Sequence, residues 1–174
     1  PEVEKFFKQY PHRSPRLLYQ NLGNGRFKDV SDSAGTGISE PKSSRGSAYG
    51  DFDNDGDVDV LVMNMNEPPL LLENNLKSAN HWLNIKLIGT KTNRSAIGSR
   101  VTIKIGDQIQ MQEVTSQTSY YSHNDLRIHF GLGNAKKVDE IEIRWANGNT
   151  EKLKDVTVNQ FINVKEGIGI ESKK

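Results

Sequence analysis

Residues 50–62 read GDFDNDGDVDVLV, with five aspartates at Asp51, Asp53, Asp55, Asp57 and Asp59 and an apolar run directly after them. The element on the C-terminal side of such an acidic loop decides the fold around it. Here the continuation VDVLVM (58–63) is a short apolar run rich in β-branched valine, which predicts a β-strand. The loop therefore joins two strands of a hairpin.

Short segments of period two run along most of the chain. Candidate strands are LLYQ (17–20), RFKDV (26–30), SAYGD (47–51), LLLE (70–73), WLNIKLI (82–88) and RVTIKI (100–105). Others are QIQMQEVT (108–115), RIHF (127–130), EIEIRW (140–145), TEKLKDV (150–156) and QFINVKE (160–166). Leu83, Ile85 and Leu87 share one face, opposite Asn84 and Lys86; Val101, Ile103 and Ile105 face away from Thr102 and Lys104. Such alternation marks half-buried antiparallel strands. GD (106–107) and NGN (147–149) supply hairpin turns, and GNG (23–25) is a turn rather than a phosphate cradle because no helical pattern comes after it. Only EVEKFFKQY near the start has a weak helical pattern, closed by Pro11. The expected fold class is all-β.

Composition changes near KSAN (77–80), from Gly/Asn/Ser/Pro-rich loops to regular strand pairs. This divides the chain at 1–78 and 79–174. LLYQN (17–21) returns as LLLEN (70–74), a spacing of roughly fifty residues with about four strands between, as in propeller blades. One blade cannot cover both its faces, so the first part is expected to be the last unit of a longer array, with propeller repeats absent from this chain. The second part reads as a small antiparallel β-sandwich that caps it.

The acidic loop has the pattern D-x-D-x-D-G-x-x-D, and alternate carboxylates on a tight turn can converge on one point. Gly56 permits the backbone geometry of that turn. Calcium takes six to eight oxygen ligands at roughly 2.3–2.6 Å. Asp51, Asp53, Asp55 and Asp59 offer carboxylates, Asp57 offers its carbonyl, and water completes the shell. Two unit charges 4 Å apart cost about 1 kcal/mol in water and about 4 kcal/mol near a protein surface. A divalent ion reverses that sign and links binding to local folding. An EF-hand is excluded, because its twelfth position requires glutamate and Val62 stands there. Magnesium fits less well because it keeps more of its water. The plain alternative is a solvated acidic turn.

NLGNGRFKDVSDSAG (21–35), RGSAYGDFDNDGDVDVLVMN (45–64) and LLLENN (70–75) resemble the FG-GAP/VCBS repeat of integrin-like β-propellers. NHWLNIKLIGTKTNRSAIGSRVTIKIG (80–106) and HFGLGNAKKVDEIEIRWANG (129–148) resemble the ASPIC/UnbV domain. The resemblance implies a calcium-bearing loop at Asp51, Asp53, Asp55, Asp57 and Asp59. It also implies a secreted, periplasmic or surface-facing protein with no established catalytic activity.

Other features narrow the function. The net charge of +1 gives no pull toward nucleic acid, and no apolar stretch is long enough for a transmembrane helix. Cysteine is absent, which excludes disulfides and thiolate metal sites. The chain starts at Pro1 and carries no signal segment, so it is expected to be processed or excised. The loop SQTSYYSHND (116–125) offers Tyr120, Tyr121, His123 and Asp125 as a ligand surface, although it reads more simply as a long loop packed on its own domain. His81, His123 and His129 lack any accompanying hydrolase motif. Lys91, Arg94, Arg100 and Lys104 read as a solvated face, and Trp82 and Trp145 as core. The resulting expectation is a non-catalytic calcium-binding module for adhesion-like contacts with a protein or glycan. A carbohydrate-active enzyme or accessory domain using 116–125 is the alternative.

Overall fold

Asn24 and Gly25 both adopt positive φ, at 53° and 70°, and this turn folds β1 (Tyr19–Gly23) onto β2 (Arg26–Asp29). Asn-Gly at the centre of a two-residue hairpin is the pairing whose twist matches the strands. The computed structural model describes residues 12–173, so the helix expected over EVEKFFKQY lies outside the described residues. A 3-10 turn (Ser31–Ser33) and one turn of α-helix (Thr36–Ser39) lead to β3 (Ser44–Gly50), β4 (Asp59–Asn64) and β5 (Leu70–Leu72). These three strands form an antiparallel sheet in sequence order. Where one blade of about four strands is expected, five strands form, split into a two-stranded hairpin and a separate three-stranded sheet. The intervening segment is tied by polar contacts rather than by a ladder: Arg16 Nε donates to the Gly37 carbonyl at 2.8 Å, and Ser14 bridges Lys42.

The second part has eight strands: β6 (His81–Ile88), β7 (Arg100–Ile105), β8 (Gln108–Glu113), β9 (Ile128–Gly133), β10 (Lys137–Arg144), β11 (Thr150–Thr157), β12 (Gln160–Lys165) and β13 (Gly169–Lys173). They form two four-stranded sheets, ordered β11-β10-β7-β8 and β13-β12-β6-β9. The alternating apolar residues meet between the sheets, where Leu83, Ile85, Ile103, Phe130, Ile141 and Val164 are all fully buried. Side chains of two inner faces interdigitating in this way are the core of a β-sandwich.

Two details depart from the expectation. β12 runs parallel to β6, from Gln160↔Leu83 to Lys165↔Ile88, within an otherwise antiparallel arrangement. The strand pattern of β12 carries no mark of its partner's direction. Trp82 is not in the core, whereas Trp145 is 1% exposed and belongs to it. Trp82 shares the parity of Asn84 and Lys86 and so projects from the outer face of β6, toward the first part.

Candidate metal centre

The β3–β4 ladder ends at the pair Gly50↔Asp59. This register brings Asp51, just beyond β3, next to Asp59, the first residue of β4. Both are buried, at 2% and 4% exposure, which is unusual for aspartate without a partner. Their oxygens are engaged by backbone amides. Asp51 Oδ1 accepts from the Asp55 N–H at 3.1 Å and Oδ2 from the Gly56 N–H at 2.9 Å. Asp59 Oδ2 accepts from the Phe52 N–H and Oδ1 from the Asn74 N–H, both at 2.9 Å. Asp59 therefore ties the loop to the segment after β5.

Inside the loop, Asp53 Oδ1 accepts from the Asp55 N–H at 3.2 Å and Asp55 Oδ1 from the Asp57 N–H at 2.8 Å. These are Asx-type turns, which aspartate forms readily. Asn54 (φ 62°) and Gly56 (φ 99°) supply the left-handed backbone. Gly56 has a second reason to be glycine: a Cβ there would lie 2.0 Å from the Trp82 indole. The loop is pressed against the second part at that point.

One carboxylate oxygen each from Asp51, Asp53 and Asp59 lie within 4.8 Å of one another. Oxygens on opposite sides of a calcium ion are separated by about 4.6–5.2 Å, twice the metal–oxygen distance, so these three can share one ion. Each carboxylate oxygen has two lone pairs, so accepting one amide leaves a site free for metal. The donor set is oxygen alone, which suits a hard cation. The Asp55 carboxylate is not in this group, and Asp57 enters the sequence pattern through its carbonyl rather than its carboxylate.

Electrostatics agree with an uncompensated negative site. Among the described residues, no lysine or arginine forms an ion pair with these five aspartates. Burial pushes the Asp51 carboxyl above the usual range, opposed by the Gly56 N–H and the charge of Arg127. Asp57 is also raised, by burial first and then by the charges of Asp55, Asp59 and Asp53.

Arg127 gave no signal in the sequence, yet its guanidinium is the charged group of the second part that reaches the loop. Nη2 donates to the Asp51 carbonyl and Nη1 to Asn54 Oδ1, both at 2.7 Å, and Nε donates to Asp125. The group stands 5.2 Å from the centre of the Phe161 ring. Asp125 lines a recess of about 360 Å³ with Tyr49, Phe52, Leu61, Leu71 and Arg127; Tyr120, Tyr121 and His123 do not. Tyr120 and Tyr121 pack edge-to-face at 4.7 Å and are 63% and 87% exposed, while His123 Nδ1 contacts the Asn124 carbonyl. The loop 116–125 lies against β3 rather than on its own sandwich alone: Asp125 N–H donates to the Tyr49 carbonyl at 3.0 Å, and Asn124 Oδ1 accepts from the Tyr49 N–H at 3.1 Å. His129 is held below its usual pKa by burial.

Residues 12–62 match the model of an FG-GAP-like repeat, and residues 89–171 match the model called ASPIC and UnbV. The chain is thus similar to an FG-GAP-like repeat in its first part and to ASPIC and UnbV in its second. Cartilage acidic protein 1 of Mus musculus is 44% identical over 55 residues, and that of Xenopus tropicalis 42% over 55. In each case the match covers 31% of this chain and 8% of the relative, so the chain spans under a tenth of those proteins. The FG-GAP-like match contains the whole aspartate loop, whereas Trp82 falls between the two matched regions.

Proposed function

We propose that this chain is a non-catalytic β module in which the aspartate loop takes one calcium ion as a structural element. The observation that carries this reading is the convergence of Asp51, Asp53 and Asp59 within 4.8 Å at a hairpin mouth where two of the three are buried. Buried carboxylates need a compensating charge. A bound calcium would supply positive charge and oxygen coordination there. The chain's own residues do the rest: amides of Phe52, Asp55, Gly56 and Asn74 orient the oxygens before any ion arrives. Oxygen ligands drawn mostly from protein favour calcium over magnesium.

The fixed hairpin presents a surface for contacts with a protein or glycan in a secreted, periplasmic or cell-surface setting. Tyr49, Phe52, Leu61 and Leu71 are exposed around the recess next to the loop, and they supply apolar contact area. Thermal melts in calcium and in chelator test the proposal. The midpoint should rise by several degrees with calcium, since ligand bound only to the folded state stabilises it. An identical midpoint in both conditions contradicts it.

A further inference from the structure

The aspartate loop belongs to the FG-GAP-like repeat, but its supports do not. Gly56 rests on the Trp82 indole of β6, closely enough that no Cβ fits between them. Trp82 in turn packs edge-to-face on Phe161 of β12 at 4.9 Å. Arg127 holds the Asp51 carbonyl and the Asn54 side chain with two separate nitrogens, and the same guanidinium is anchored by Asp125. Asp125 is itself fixed to β3 through its amide, which donates to Tyr49. Gly46 allows the rest of the loop to approach, since a Cβ there would stand 2.3 Å from the Tyr120 carbonyl.

We propose that Arg127 and Trp82 are positioning residues of the metal loop, so that cation occupancy and the docking of residues 119–127 onto β3 form one linked equilibrium. The inference rests on the calcium reading and adds to it a dependence on residues of the other domain. The physical reason is geometric. Asp51 comes directly after β3, and the Arg127 fork holds its carbonyl, so the direction of the Asp51 carboxylate depends on Arg127. Asn54 and Gly56 form the turn that carries Asp53 and Asp55. With Asn54 released from Arg127 and Gly56 from Trp82, the carboxylates lose their common focus. Linkage is reciprocal, so an ion that favours the focused loop favours the docked 119–127 segment by the same factor. The sign of the charge argues against a simpler account: a guanidinium beside a cation site repels the cation, so Arg127 helps only by placing other atoms.

The test uses the whole chain, calcium chloride as probe, titration calorimetry for binding and hydrogen exchange for docking. In the wild type, calcium should slow exchange at the Tyr49 and Asp125 amides by about tenfold relative to chelator. Arg127→Met should weaken calcium binding by about tenfold and abolish that slowing. Arg127→Lys keeps the charge but cannot reach three acceptors, and it should behave as Arg127→Met does. It also serves if Arg127→Met does not fold. Trp82→Phe, which shortens the platform under Gly56, should show a smaller loss in the same direction. Calcium binding by the wild type with no change at the Tyr49 and Asp125 amides would overturn the linkage while leaving the calcium reading intact. Full recovery of affinity and slowing by Arg127→Lys would overturn the positioning role. Absence of any binding heat in the wild type would remove the calcium reading and this inference with it.

Discussion

The two parts of the chain are stabilised by different means. Residues 81–173 enclose a cluster of seventeen buried apolar side chains contributed by both sheets. In residues 12–80, Val62 is the single buried apolar side chain, while Ser43, Asp51 and Asp59 are buried beside it. Leu61, Met63 and Phe52 of the same part are exposed. Hydrophobic burial therefore explains the sandwich and leaves the first part short of a core. That part holds its shape through carboxylate–amide bonds at the loop and through contacts with Trp82 of β6 and with the segment 119–127. The lesson is that a charged turn can take over part of the role of a core when its carboxylates are directed at backbone amides.

This contrast can be broken from the sandwich side first. Phe130→Ala should cost about 3–5 kcal/mol, the usual range for removing a fully buried ring, and denaturant titration should give the same loss with calcium or chelator. An effect that depends on calcium would mean that the sandwich core also sets the geometry of the aspartate loop.

Glu166 is the buried charged side chain of the sandwich among the described residues. Its Oε2 accepts from the Thr90, Lys91 and Thr92 amides at 2.8–2.9 Å, and Oε1 accepts from Asn147. Burial pushes this carboxyl up, but those amides outweigh burial and hold it at about 2. A folded pKa below the unfolded value adds stability that is complete above about pH 4.5 and is lost as pH falls toward 2. Glu166→Gln should cost about 2–3 kcal/mol at neutral pH and flatten the acid limb of the stability profile between those values. An acid limb unchanged by the substitution would show that Glu166 is not its source.

In the first part, Asp59→Asn keeps only one of two acceptors. In chelator it should cost about 1–2 kcal/mol, with faster hydrogen exchange at Phe52 or Asn74. Asp53→Ala should have the smallest effect in chelator, about 0.5 kcal/mol or less, because Asp53 is exposed and accepts one long bond. The same substitution should remove the difference between calcium and chelator. This pair separates the scaffold role of a buried aspartate from the ligand role of an exposed one.

Much of this organisation was legible in the residues. Period-two alternation located β6, β7 and β10 to within a few residues, and the strand after the acidic loop marked a hairpin. Parity also held the answer for Trp82: Leu83, Ile85 and Leu87 face the core, so Trp82 must share the other face with Asn84. Its place in an alternating strand suggested core, and the parity within that strand was the better guide. β13 escaped because GIGIESK carries the glycines of a turn and only two isoleucines. The parallel pairing of β12 with β6 and the approach of 116–125 to β3 are long-range contacts with no local signature. Within the loop, spacing identified the five aspartates. That the Asp51, Asp53 and Asp59 carboxylates form the tight group depends on a loop conformation, with left-handed Asn54 and Gly56, that spacing alone does not carry. Arg127 looked like any charged residue at the start of a strand.

Titration of the whole chain with calcium chloride by calorimetry tests the central claim most directly. A single saturable event with a stoichiometry of one, absent in Asp53→Ala, is the predicted result. No heat of binding up to millimolar calcium, or equal binding by Asp53→Ala, would contradict it.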